Sequence, residues 1–320
     1  MLYKKLRLII IQSGIIIFAL SLFPVKAAIV ASIKPIGLIA AAIAHDIVSI
    51  EIILPDGASV HDYSLRPLDI KKIKAAELIL WSGPAMEAFM SKVTETVTID
   101  KKIEIDLLPD IQSLLLRNSN GSCLSYLDSS ISLREMGFDK DKKKQHHSQH
   151  NMHFWMSPEI SRKIAIVIYE KLLKLMPIHH KQLDANLQHF KFSMLMTDAY
   201  INNQLSELKG KGYFVFHDAY AYFEKYYGLT PEGCFTVNPE IPLGAQRLYK
   251  IRRALIKKKV ICVFSEPQFR PAIIKAIIRD TPVRAGTLDP LGAGISLGKD
   301  SYVQFLIQLS DQYVNCLKGD

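Results

Sequence analysis

The sequence predicts an α/β protein of two lobes, each a four-stranded, mainly parallel sheet flanked by helices, joined by one long rigid helix. Three observations carry this prediction. Short apolar runs alternate with helical patterns in both halves of the chain, the signature of parallel sheets with helices on their faces. A stretch of about 29 residues, 180–208, contains no Gly or Pro and separates the two halves; as a helix it would reach about 43 Å. The chain has 320 residues, more than one hydrophobic core uses, which suggests lobes of roughly 130–150 residues.

The first half opens with Ile29-Val30-Ala31-Ser32-Ile33, a short apolar run that reads as a buried strand. A helical pattern over 35–45 follows, then a strand at 48–54, a short helix at 67–76, a strand at 78–81, a helix at 86–97 and a strand at 102–105. Residues 107–152 break the rhythm with polar turn-formers such as Asn118-Ser119-Asn120-Gly121-Ser122 and the polar stretch from Asp139 to His150, and His153 brings the histidines within 146–153 to four. Connections this long are usually functional or lack fixed structure. A helix at 158–175 resumes the pattern and stops before Pro177.

The long helix places Leu183, Leu187, Phe190, Met194, Ala199 and Leu205 near a 3.6-residue period. Gly210 and Gly212 end it. The second half then repeats the first: strands at 213–216, 233–237, 260–264 and 283–287, with helices at 219–227, 244–256, 273–278 and 302–316. The implied division is a leader at 1–27, an N-terminal lobe at 28–178, a linking helix at 179–210 and a C-terminal lobe at 211–320.

The leader has the parts of a cleaved signal peptide. Lys4, Lys5 and Arg7 precede an apolar run from Leu8 to Phe23, and Val25-Lys26-Ala27 supplies small residues for cleavage after Ala27. The apolar run is interrupted by Gln12, Ser13 and Gly14, shorter than the roughly 20 residues of a membrane span. The expected home is an oxidising compartment, the periplasm of a bacterium. Of the formal net charge of +9, Lys4, Lys5, Arg7 and Lys26 of this leader contribute +4. The remainder is spread over scattered lysines, as at Lys71-Lys72 and Lys257-Lys258-Lys259, so nucleic acid is not an expected partner. Of the four cysteines, Cys262 lies in a strand-like run and Cys316 near the end of the last helix; a disulfide between them would resist fraying of that helix. Cys123 and Cys234 are open to pairing or to remaining thiols. No C-x-x-C is present, so neither a thiolate zinc site nor a thioredoxin-type redox site is supported.

In open α/β sheets, ligands bind beyond the carboxyl ends of the strands. Four residues stand there: His61, after the second strand and its loop; His153, after the long polar segment; His217, directly after 213–216; and Asp289, after 283–287. Three imidazoles and one carboxylate make a four-coordinate set suited to Zn2+. His217-Asp218 also reads as a helix N-cap pair, and Asp289-Pro290 as a turn. Because binding needs neutral imidazoles, affinity is expected to fall as the pH drops through about 6.5. Asp62, Asp218 and Glu266 are candidates to orient the imidazoles, and Phe154, Trp155, Phe216 and Phe269 to wall the site from water.

At these positions the chain resembles a known family. Leu54-Pro55-Asp56-Gly57-Ala58-Ser59-Val60-His61-Asp62-Tyr63-Ser64-Leu65-Arg66-Pro67, His153-Phe154-Trp155-Met156-Ser157-Pro158, Tyr213-Phe214-Val215-Phe216-His217-Asp218-Ala219-Tyr220, Phe264-Ser265-Glu266-Pro267-Gln268-Phe269 and Gly286-Thr287-Leu288-Asp289-Pro290 are similar to the ZnuA proteins. These are periplasmic zinc-binding components of ABC-type zinc importers. The resemblance spans essentially all of residues 28–320. It implies zinc held between two lobes on a rigid connecting helix, with small closure, and delivery by a monomer to an inner-membrane zinc permease and its ATPase. It implies His61, His153 and His217 as ligands, with Asp289 or a water completing the sphere. Manganese-binding relatives carry a carboxylate at the position of His217, so a third imidazole favours zinc. Some members have an acidic residue before the first histidine, where Val60 stands here. The family's His-rich loop is abbreviated to His146, His147 and His150, expected to bind metal weakly. The family's C-terminal disulfide matches Cys262 and Cys316.

Two other readings compete. A secreted zinc hydrolase would need an acid or base beside an open metal position, and neither H-E-x-x-H nor a two-metal cluster occurs. A metal-dependent extracellular adhesin is disfavoured by the absence of a cysteine near the cleavage site for lipid attachment.

Overall fold

A computed structural model describes residues 29–118, 149–269 and 272–319 of the chain. The leader, His146, His147 and Cys123 lie outside these residues. Two four-stranded sheets organise the fold. The first holds β1 (Ile29–Ala31), β2 (Ile50–Ile52), β3 (Leu78–Trp81) and β4 (Lys102–Glu104) in the order β2-β1-β3-β4. The second holds β5 (Tyr213–His217), β6 (Gly233–Thr236), β7 (Cys262–Ser265) and β8 (Arg284–Thr287) in the order β6-β5-β7-β8. Every strand pair is parallel. Central strands covered on both faces need continuous apolar runs; β1, β3 and β5 are buried at every position. In both sheets the chain reverses its direction of travel beside the first strand, so each lobe has a crevice at the carboxyl ends between its first and third strands.

The helices are α1 (Lys34–Ile43), α2 (Pro67–Ala75), α3 (Ala88–Thr94), α4 (Pro109–Gln112), α5 (Pro158–Leu175), α6 (His180–Ser206), α7 (Ala221–Tyr227), α8 (Ala245–Lys257), α9 (Ala272–Ile278) and α10 (Ser301–Lys318). Several elements differ from sequence expectation at their ends. Of the strand expected at 48–54, Ile50–Ile52 form β2, a half-buried edge strand whose Glu51 reaches out to an ion pair with Lys72; Ile53 N and Leu54 N still donate to Ala31 O and Ser32 O at 3.0 and 2.9 Å. The helix after His217 begins at Ala221, with Tyr220 and not Asp218 at its N-cap. Along α6, five of the six expected apolar positions are buried and Ala199 is exposed; Ile201 completes the stripe.

The linking helix is riveted on both sides by polar groups as well as apolar ones. Asn186 on α6 donates to the carbonyls of Ile43 and His45 at the end of α1, at 3.0 and 2.9 Å, satisfying acceptors that a helix C-terminus leaves open. Asp198, also buried on α6, pairs with Arg162 of α5 and accepts from the hydroxyls of Tyr226 and Tyr227 on α7 at 3.0 and 2.9 Å. The C-terminal helix α10 is a second strap. Its first turn donates from Ser301 Oγ to Leu38 O in α1 at 3.1 Å, and its last turn is bonded to β7 through the Cys262–Cys316 disulfide, with Cα atoms 6.0 Å apart. So α10, which sequence alone assigns to the C-terminal lobe, packs on α1 as well as β8. One core cluster of buried side chains runs from Ile29 to Leu317 through both sheets and both straps. Cys234 is also disulfide-bonded. Among the described residues no helix is long and apolar enough to cross a membrane.

The Cys262–Cys316 bridge closes a loop of 54 residues. Its removal by Cys262→Ser with Cys316→Ser is expected to lower unfolding stability by about 3–4 kcal/mol. Urea denaturation of the two forms checks this; equal midpoints would mean that the bridge does not constrain the strap.

Candidate metal centre

Each of the three histidines is carried to the interlobe crevice by a different local device. His61 sits on the loop after β2. That loop turns at Gly57, whose φ of +81° favours glycine, and is held by Asp56, which accepts from Lys34 Nζ at 2.6 Å and from Gly294 N, in the other lobe, at 3.1 Å. Ser59 Oγ receives the His61 backbone N–H at 3.2 Å and donates to Glu240 Oε1 across the cleft at 2.7 Å. His217 is the last residue of β5, so the sheet itself aims it.

His153 precedes a 3-10 turn, Phe154–Met156, that is wholly buried. Trp155 Nε1 donates to Pro290 O in the second lobe at 2.8 Å, and Trp155 O accepts from the Tyr302 hydroxyl of α10 at 2.7 Å. Ser157 then caps α5 by accepting from Ile160 N at 3.3 Å, with Pro158 at the first helical position.

The structure brings His61, His153 and His217 together. One ring nitrogen from each lies within 4.8 Å of the others, and the ring centroids are 5.1 to 5.5 Å apart. His153 and His217 are buried, while His61 keeps exposed surface. The hydrogen bonds behind the rings set their tautomers. His217 Nδ1 faces Glu266 Oε1 at 2.5 Å, and a carboxylate accepts, so Nδ1 carries the hydrogen. His153 Nδ1 faces Asn151 Oδ1 at 2.9 Å. The orientation of Asn151 follows from its other bonds: Oδ1 accepts from His153 N at 3.0 Å and Nδ2 donates to Asp218 O at 2.8 Å. His153 therefore also carries its hydrogen on Nδ1. Two Nε2 lone pairs are left facing each other at 3.3 Å, an arrangement that repels unless a cation lies between them.

A proton on His153 or His61 is disfavoured. Burial, and then the neighbouring His217 and His61, hold the His153 pKa well below the usual histidine value. Burial and then His217 take His61 down to about 3. The downward pressure on His61 is screened more than that on His153, because His61 is partly open to solvent.

Asp289 is buried at the same crevice but is not brought into the cluster. Its Oδ1 accepts from Leu291 N at 3.0 Å and from Gln268 Nε2 at 3.1 Å, and its Oδ2 from Ala293 N at 2.6 Å. Among the described residues the clustered ligand atoms are those of the three histidines alone. Of the expected orienting groups, Glu266 holds His217; Asp218 contributes its backbone carbonyl to Asn151; Asp62 lies exposed. Asn151 is the partner that sequence reasoning missed. The available signal was its position two residues before His153, where an Asx side chain bonds the backbone N–H two residues on. Phe269 packs edge-on to His217 at 6.1 Å and against Phe216 at 5.3 Å, so it walls the site, as does Trp155 beside His153 at 5.3 Å. Phe154 is core. His150 forms an antiparallel bridge with Arg117 at the base of the polar segment.

Known proteins resemble the chain over most of its length. A family model described as the periplasmic component A of a zinc-uptake complex, ZnuA, matches residues 29–316. The high-affinity zinc uptake system protein ZnuA of Yersinia pestis is 50% identical over 293 residues, covering 92% of each chain. The protein of the same name from Buchnera aphidicola is 41% identical over 302 residues, covering 91% of this chain and 90% of its own. A solved structure described as ZnuA superposes with a TM-score of 0.72 at 22% identity, covering 90% of this chain and 98% of the other. The periplasmic zinc-binding protein TroA from Treponema pallidum superposes with a TM-score of 0.70 at 19% identity, covering 91% and 99%. At such identities these two structures speak to the fold.

The lowered histidine pKa values have a consequence for the ion-free protein. Between the ordinary histidine pKa near 6.5 and the depressed folded values, His153 and His61 bind more protons in the unfolded chain than in the folded one. Their contribution to stability therefore rises with pH in that window and is lost as pH falls below about 6.5. His153 is expected to contribute a loss of about 2 kcal/mol between pH 7 and pH 5, and the more exposed His61 less. Urea midpoints of ion-free protein at the two pH values, with His153→Gln as the flattened control, test this; a His153→Gln slope equal to that of the unaltered chain would refute it.

Proposed function

Because the chain belongs to the ZnuA family of periplasmic zinc-uptake components, we propose that it captures one Zn2+ on His61, His153 and His217 and delivers it to an ABC-type zinc permease of the inner membrane and its ATPase. The observation that supports this most is the pair of Nε2 lone pairs 3.3 Å apart, with both Nδ1 hydrogens already committed to Asn151 and Glu266. Neutral imidazoles presented this way form a site made in advance for a borderline-soft cation. Three imidazoles favour zinc over manganese, which prefers carboxylates. Asp289 has both oxygens engaged by Leu291, Ala293 and Gln268, so the fourth position falls to a water.

The protein acts on the ion by holding and releasing it, not by transforming a substrate. Residues 1–27 serve as a cleaved signal peptide that brings the mature chain to the periplasm. His146, His147 and His150 form a weaker collector at the polar segment. Free imidazoles would lose zinc as the pH drops through about 6.5; the depressed His153 and His61 move their share of that competition to lower pH.

Calorimetric titration is expected to show one tight Zn2+ per chain. His217→Ala should weaken that site by at least about 100-fold, and His147→Ala should leave it unchanged. Equal losses in the two variants would mean that the ion sits elsewhere.

A further inference from the structure

Gln268 donates to Asp289, and its side chain lies beside the three histidines. It follows β7 and lines the same cavity as His61, His153, His217 and Glu266. Its amide orientation is settled by chemistry. Nε2 lies 3.1 Å from Asp289 Oδ1, and that carboxylate also accepts from two backbone N–H groups. A flipped amide would set oxygen against oxygen. The carbonyl Oε1 is thereby turned away from Asp289. It is buried and has no hydrogen-bond partner. Other described side chains carry such orphan atoms, but Gln268 alone among them also lines the histidine cavity. A buried acceptor left unpaired is costly, and a specific one calls for an explanation.

We propose that Gln268 is a positioning residue for the captured ion: its Oε1 accepts a hydrogen bond from the water in the fourth coordination position. This rests on the capture reading above. A tetrahedral zinc with three imidazoles has one open position. A water there carries two hydrogens into a largely desolvated cavity and needs acceptors. Of the nearby carboxylate oxygens, Glu266 Oε1 already faces His217 Nδ1, and both oxygens of Asp289 accept from its own loop and from Gln268. Gln268 supplies the missing acceptor without adding charge. Asp289 then acts one bond removed from the ion, holding the glutamine that holds the water. The chain of contacts continues: Pro290 in the Asp289 loop accepts from Trp155 Nε1, and Gly294 donates to Asp56. Occupancy of the fourth position is in this way linked to the loop that joins the lobes.

The test uses the full mature chain with Gln268→Leu and, should that variant fail to fold, Gln268→Met. Zn2+ affinity is read by calorimetry, and Co2+ is added in place of zinc so that its visible absorption bands report coordination. Loss of an outer partner is expected to weaken Zn2+ binding about tenfold and to change the position or intensity of the Co2+ bands. Affinity and Co2+ spectrum both equal to those of the unaltered chain would overturn the proposal. So would weaker binding with an unchanged spectrum, since that marks a structural role only. If the unaltered chain itself shows no tight zinc site, it is the capture reading that fails.

Discussion

The buried turn Phe154–Met156 is the constraint on which the site depends. Its backbone and indole are gripped from three directions: Pro290 of the second lobe takes the Trp155 N–H, Tyr302 of α10 donates to the Trp155 carbonyl, and Ser161 of α5 donates to the same oxygen at 3.2 Å. Trp155 is fully buried. A side chain of that size contributes several kcal/mol by burial alone. With the indole fixed, the residue before the turn has little freedom, and that residue is His153. Tyr222 of α7 adds to the clamp by donating to Asn151 O at 2.6 Å. A histidine contributed by the first half of the chain is therefore positioned largely by groups of the second half.

The same cross-bracing bears on motion. Two helices, α6 and α10, pass between the lobes, and the apolar core continues through them. Packed cores are discrete in their arrangements and resist smooth deformation. Wide separation of the lobes would expose this core and break the Asp198 and Asn186 networks. Small movements of the peripheral loops cost far less. The contacts across the mouth of the cleft are of that lighter kind: Ser59 to Glu240, and Gly294 to Asp56, both solvent-exposed. The architecture suits a ligand as small as a single ion, which needs ångström-scale access and a rigid donor set.

Much of this was legible in the residues. The alternation of apolar runs and helical patterns foretold both sheets, because buried parallel strands must be apolar throughout while amphipathic helices cannot be. The strand-end rule picked out His61, His153 and His217 because topology alone fixes where carboxyl ends of strands converge. The rule could not separate Asp289 from them. A carboxylate at a strand end looks the same in sequence whether it faces a ligand or folds back on its own loop; here its oxygens accept from the N–H groups of Leu291 and Ala293 and from Gln268. The long-range partners were illegible for a related reason. Glu266 lies beside His217 only because β7 pairs with β5. The strand end was overrun at β2 because Ile53 and Leu54 are apolar, buried and still bonded to Ala31 and Ser32 beyond the assigned residues.

The groups behind the two buried histidines differ in charge, and that difference bears on how a carrier can both hold and release. His217 leans on a buried carboxylate, Glu266, and His153 on a neutral amide, Asn151. A carboxylate behind an imidazole raises its basicity and strengthens its bond to a cation more than an amide does. Were Zn2+ held by three neutral rings with one carboxylate behind them, the buried assembly would keep a net positive charge. A second carboxylate bound directly to the ion would neutralise it and deepen the well. The fold places such a carboxylate, Asp289, within the same crevice and then engages both its oxygens with backbone N–H groups and Gln268. The charge needed for tighter binding is present but diverted into holding a loop. That loop also contacts Trp155 and Asp56, so a partner that displaced it would loosen the crevice and unsettle the turn that aims His153.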